Sequence, residues 1–179
     1  MCVPQESGVE MARMLLNAGL FQVVWFAAVL GAAYEKAWLG PLVLLPVLVV
    51  NLAMASDRRS ELKLWAVAGV LGLLFDTALI ATGVFAPRHQ LFPHPFSPPW
   101  MIGLWLNFAA TLNQSLGWLH ARPLLAALFG AVGGPLAYYG GARLGATVAI
   151  PGVEEVMILS IGWGVITPLL FKLAKTLRS

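Results

Sequence analysis

Long apolar runs recur six times along this chain: Leu15–Tyr34, Trp38–Ala55, Leu62–Phe85, Trp100–Leu119, Pro123–Gly145 and Val153–Leu173. A helix that crosses a bilayer needs about 20 predominantly apolar residues, so runs of this length leave few folds open. Composition points the same way, with 59% apolar and 11% charged residues where ordinary soluble domains carry about 25% charged residues. The expected fold is all-α, a polytopic membrane protein built as a bundle of about six transmembrane helices. Its 179 residues leave room for six spans in one integral domain covering 1–179.

The first run has Arg13 before it and small residues at its end, as a secretory signal would. Its apolar part exceeds the 7–15 residues of a signal core, and Glu6 and Glu10 interrupt the basic leader, so it reads as a retained helix. Between the third and fourth runs, the prolines of APRHQLFPHPFSPP exclude a regular helix and favour extended backbone. With alternating spans, one side of the bundle holds eight basic residues (Arg13, Arg58, Arg59, Lys63, Arg122, Lys172, Lys175 and Arg178), and the other holds Lys36, Arg88 and Arg143. By the positive-inside rule the first side is cytoplasmic, which places both termini there. Trp38, Trp65, Trp100 and Trp118 fall near span ends, where indoles favour the headgroup level. Trp25, Trp105 and Trp163 do not; they either pack inside the bundle, face lipid, or line a cavity.

Asp76 lies deep in the third run. An acid at that depth costs about 2.5–3.5 kcal/mol on insertion scales, so it is expected to face protein or water and to have a role. Asn107, Thr111, Gln114 and Ser115 follow at i, i+4, i+7 and i+8 of the fourth run and form one helical stripe. Such amides and hydroxyls can simply bond neighbouring helices at about 0.6–2 kcal/mol each. Asp76, Asn107, Thr111 and Gln22 nevertheless share one depth, which suggests a common site.

In the fifth run, Ala126, Gly130 and Gly134 form one small-residue series and Ala137, Gly141 and Gly145 another; each allows close helix approach, within the chain or to a second copy. Pro135 follows Gly133-Gly134, and its missing N–H predicts a kink or a short unwound segment near Ala131–Gly134, with freed carbonyls facing a wet cavity or protein. Tyr138 and Tyr139 follow that segment directly, and either could give a hydroxyl to Asp76, for which Asn107 and Thr111 are further candidate donors. Before the sixth run, Pro151, Glu154 and Glu155 fit a helix start, where acids meet the positive end of the dipole.

His89 and His94 lack the further ligands of a zinc site, and His120 falls on the opposite side. Cys2 is the sole cysteine, which excludes an intrachain disulfide. GxSxG, P-loop and HExxH motifs are absent, as is any basic-aromatic stretch fitted to nucleic acid. No cofactor, metal or nucleic-acid partner is expected. The expected partners are membrane lipids, a lipophilic small molecule, and a second copy through the small-residue faces.

The runs LNAGLFQVVWFAAVLGAA, LNQSLGWLHARPLLAALFGAVGGPLAYYGGARLGA and GWGVITPLLF resemble a family of small bacterial inner-membrane proteins known as a domain of unknown function. The resemblance runs from about Leu16 to Phe171 and implies an inner-membrane location. The Pro-x-Glu-Glu motif of small-subunit carotenoid cyclases is similar to Pro151–Glu155, but two residues separate Pro151 from Glu154 instead of one. Two functions stay open. One is a carrier or binding protein for a lipophilic or amphiphilic molecule, using Asp76, Asn107, Thr111, Gln114, Gln22, Tyr138, Gly134 and Pro135. The other is an intramembrane enzyme acting on a lipid or isoprenoid, with Asp76, Glu154 or Glu155 as the catalytic acid.

Overall fold

The computed structural model describes residues 4–89 and 92–178, with side chains from Gly8 onward. Among the described residues it is all-helical: α1 Pro4–Ala33, α2 Leu39–Met54, α3 Arg58–Ala81, α4 Pro99–Leu112, α5 Pro123–Arg143 and α6 Val153–Leu177, with a single 3₁₀ turn at Gly117–Leu119. Local chemistry sets these boundaries. Asp57 caps α3 by accepting from the backbone N–H groups of Arg59 at 3.0 Å and Ser60 at 3.2 Å, and Pro99 and Pro123 open α4 and α5, where a missing N–H costs nothing. Gly83 and Gly145, at φ of 75° and 93°, turn the chain after α3 and α5 in a conformation that side chains disfavour.

Four helices, α1, α3, α5 and α6, are long and apolar enough to cross a membrane. The other two helices are shorter than the runs 38–55 and 100–119 expected for them. α2 has 16 residues and so spans about 24 Å. α4 has 14 and spans about 21 Å. The fourth run leaves the helix at Leu112, and Asn113–Leu116 turn back on it, with the N–H groups of Gln114 and Leu116 both donating to the Thr111 carbonyl at 3.0 Å. Irregular backbone is tolerated at such a place because it is enclosed by protein and satisfied.

Outward faces are aliphatic. Leu124, Leu128, Val132 and Leu136 stand exposed at four-residue spacing on α5, as do Val153, Met157, Ile161, Val165 and Leu169 on α6. Polar side chains point inward: Asn17, Asn51, Asp76, Asn107, Thr111 and Thr167 are all buried. This reverses the pattern of a soluble bundle and suits a helix ring surrounded by hydrocarbon.

Successive helices alternate in direction. At one end the link after α3 pairs with the link after α5, Arg88 N–H donating to Ala146 O at 3.0 Å and Val148 N–H to Ala86 O at 2.9 Å. The opposite end gathers the start of α3, the end of α4 and the end of α6. There Ser60 Oγ donates to the Leu177 carbonyl and Asn113 Nδ2 donates to Glu61 Oε1 at 2.7 Å.

Within the bundle, α1 packs on α2 and α4, α3 on α4, and α5 on α6. The small residues of α5 serve these contacts. A Cβ on Gly130 would come within 2.2 Å of Thr167 Oγ1, and one on Gly134 within 2.2 Å of Trp163 Cγ. The second series faces α1, where a Cβ on Gly141 would lie 3.7 Å from Val29 and one on Gly145 3.6 Å from Ala33. Both series are therefore engaged inside the chain.

Candidate functional site

Asp76 is 1% exposed on the inner face of α3. Trp105 of α4 donates its indole N–H to Oδ2 at 2.9 Å, and Tyr138 of α5 donates its hydroxyl to Oδ1. Two neutral donors thus converge on one carboxyl from two other helices. No ion pair reaches it among the described residues, where the one contact of a basic side chain with a carboxylate within 4.0 Å is that of His89 Nε2 with Glu35 Oε1 at 3.9 Å.

Glycines seat the rings around this acid. Gly72 lies one turn before Asp76, and a Cβ there would meet the Trp105 indole at 2.1 Å; Gly134 leaves the corresponding room for Trp163. The two indoles stack at 4.5 Å between centroids and 14° between planes. Phe75 and Phe108 meet Trp163 edge-on at 6.4 and 5.4 Å, and Phe85 meets Tyr138 edge-on at 4.9 Å. Edge and offset contacts of this kind fix ring positions beyond what area burial alone provides.

Beside the acid opens a cavity of about 350 Å³. Its floor is α4, with Trp100, Met101, Leu104, Trp105 and Phe108. One wall is α1, with Phe21, Gln22, Trp25 and Val29, and the other is α5, with Phe129, Gly130, Gly133, Gly134, Ala137 and Tyr138. α1 and α5 approach each other at Val29–Gly141 and Ala33–Gly145 and stand apart below, where Gln22, Phe129 and Leu136 are exposed at the opening. Few polar groups reach the lining. They are Asp76, Tyr138, Gln22, Thr147 and the indoles, and the buried Trp100 and Trp163 N–H groups have no hydrogen-bond partner among the described residues. An apolar cavity of this volume with a few convergent polar groups has the character of a small-molecule site.

The residues singled out in the sequence separate into two groups. Asp76, Tyr138, Gln22 and Gly134 border the cavity, and so do the three indoles outside the interfacial belt, Trp25, Trp105 and Trp163. Asn107, Thr111 and Gln114 are not part of its lining. Asn107 donates to Phe21 O at 3.0 Å and Gln114 to Asn51 O at 3.2 Å, which ties α4 and the turn after it to α1 and α2, while Thr111 donates to Phe108 O at 2.6 Å within α4 itself. The stripe itself ends with α4, because Gln114 and Ser115 lie in the turn beyond it.

Pro135 is buried but does not line the cavity, and the expected unwinding is corrected: α5 runs unbroken from Pro123 to Arg143. The hydrogen bond that Pro135 removes and its clash with the carbonyl four residues back are offset by packing, since Gly130 and Gly134 let α6 come close to the helix at Thr167 and Trp163. Glu154 is exposed and Glu155 half-buried in the first turn of α6, with Glu155 Oε2 over the Gly152 backbone; neither borders the cavity.

Sequence reasoning missed a buried amide cluster. Asn17 Nδ2 donates to Asn51 Oδ1 at 2.7 Å and to Ala110 O at 3.1 Å, while Ser115 Oγ donates to Asn17 Oδ1. The signal was present, since Asn17 shares the first apolar run with only one other amide, Gln22, and Asn51 is the lone amide of the second, as Asp76 is the lone acid deep inside the third.

Aliphatic faces outward, amides and an acid inward, and four helices of membrane-crossing length define a helical protein of membrane type. The chain belongs to the family described as Protein of unknown function (DUF2878), which matches residues 14–169. No curated protein matches the chain, and no solved structure does.

Proposed function

We propose that this is a multi-pass protein of a bacterial inner membrane that binds, and carries, a lipophilic or amphiphilic small molecule in the cavity between α1 and α5. The observation that carries this reading is the coincidence of a 350 Å³ apolar cavity with a buried carboxyl in its wall. The separation of α1 from α5 supports entry sideways from lipid. The polar group of the ligand would sit at Asp76 and Tyr138, and its apolar part among the rings. Eight basic residues at the end that carries the α2–α3 and α4–α5 links support a cytoplasmic location for that end and for both termini. A reporter fused after Ser60 should then read cytoplasmic and one after Pro93 periplasmic.

The alternative of an intramembrane enzyme acting on a lipid or isoprenoid rests on Asp76 alone, because Glu154 and Glu155 lie away from the cavity. A single acid held by two donors favours binding over chemistry that needs a paired acid and base.

Gly133 provides the test. It lines the cavity, and a Cβ there would meet only Phe129, at 4.0 Å, so Gly133→Leu should project into the cavity without breaking the bundle. Native mass spectrometry of protein released from membranes should show a bound small molecule on the wild type and at least a several-fold loss on Gly133→Leu, at unchanged thermal stability. Equal occupancy of the two proteins would contradict the assignment.

A further inference from the structure

The cavity has a definite charge preference. Its one ionisable acid among the described residues, Asp76, is 1% exposed and meets only neutral donors, Trp105 and Tyr138. Among the described residues no Lys, Arg or His lines the cavity. A ligand with a carboxylate or phosphate head would find no counter-charge, and it would face both the acid and the negative faces of the aromatic rings. A cation finds the reverse. Ring faces attract ammonium groups, most strongly indole, and the attraction grows when water is excluded. A buried acid in turn is stabilised by a paired charge, and leaving it unpaired is costly.

We infer that the ligand held between α1 and α5 is a lipophilic cation of the alkylammonium class, with its head against Asp76 among Trp25, Trp105, Trp163 and Tyr138 and its chain directed toward the opening beside Gln22. This rests on the cavity reading of the preceding subsection and adds the charge of the ligand to it. Trp105 and Tyr138 hold the carboxyl in place from two helices. The stacked indoles, seated by Gly72 and Gly134, present a rigid ring surface that needs no rearrangement to receive the head.

Decyltrimethylammonium, whose charge is permanent, and decanol, a neutral amphiphile of equal chain length, are the probes. Their binding to detergent-solubilised protein is read by quenching of tryptophan fluorescence. Wild type should bind the cation at least about tenfold more tightly than decanol. Asp76→Asn, with the same unfolding temperature and near-UV circular dichroism, should lose that preference, its cation-to-decanol affinity ratio falling to about one. Gly133→Leu should lose both ligands. If wild type and Asp76→Asn bind the two probes alike while Gly133→Leu binds neither, the cation assignment is overturned and the cavity reading survives. Binding that Gly133→Leu leaves intact, or no binding of either probe to wild type, would overturn both. Should Asp76→Asn fail to fold, Trp105→Phe keeps the acid but removes its indole N–H and weakens the ring wall. It should lower the cation-to-decanol affinity ratio, and an unchanged ratio there would equally overturn the assignment.

Discussion

His120 shows how much one side chain at the end of the bundle can depend on its neighbours. It lies in the α4–α5 connection with its ring Nε2 3.0 Å from Asn113 Oδ1, edge-on to Phe171 at 5.1 Å. Partial burial, and then the positive charge of Arg178, push its pKa below the usual imidazole range. The neutral form is thus favoured in the fold, and below about pH 6.5 the unfolded chain takes up more protons than the folded one. Stability from this site is complete above that pH and is lost as pH falls through the lowered value. Thermal unfolding in detergent should show a lower midpoint at pH 5.5 than at 7.5, and His120→Gln should reduce that difference. An unchanged difference in the variant would show that the pH response arises elsewhere. The sequence placed His120 on the side opposite His89 and His94 but said nothing of Asn113 or Phe171, because those contacts exist only once α4, α5 and α6 are assembled.

Two adjacent glycines of α5 have opposite roles. Gly134 faces α6, and a Cβ there would lie 2.2 Å from Trp163 Cγ, so Gly134→Ala must displace an indole from its stack on Trp105. A cost of about 1–3 kcal/mol is expected, as for other overpacked interiors. Gly133 faces the cavity with nothing nearer than Phe129 at 4.0 Å, and Gly133→Ala should be neutral or stabilising by up to about 1 kcal/mol through helix propensity. Urea or thermal unfolding of the two variants in one detergent checks the contrast, and equal effects would contradict the assigned faces. At this scale the sequence was informative about spacing and less so about register. The series Ala126, Gly130 and Gly134 was visible as a packing face, but which helix it meets is a tertiary fact. The Gly-Gly-Pro segment reads as a break on backbone chemistry alone, and it stays helical because α6 packs along it. α4 reads as a full span by hydropathy. It stops at Leu112 because Asn113, Gln114 and Ser115 each find a partner on another element, Glu61, Asn51 and Asn17.

Across the whole molecule, the all-helical fold and the alternation of helices were legible from run length and composition, since hydrocarbon requires a helix or closed barrel to satisfy the backbone. Asp76 was legible as an anomaly of depth, but Tyr138 only as one candidate donor beside Tyr139, Asn107 and Thr111, of which it alone bonds the acid. Trp105 was not legible as the second donor, since an indole N–H carries no sequence signature of its acceptor. The cavity arises from the way α1 leans on α2 and α4 while α5 leans on α6, a difference in helix pairing that no single run encodes. The proposed ligand site beside Asp76, open to lipid, is tested most directly by a single-particle structure of the protein in lipid nanodiscs. The expected result is separated α1 and α5 with elongated density between them, reaching Asp76 and Tyr138. Contact of α1 with α5 along their length, leaving no space at Asp76, would contradict it.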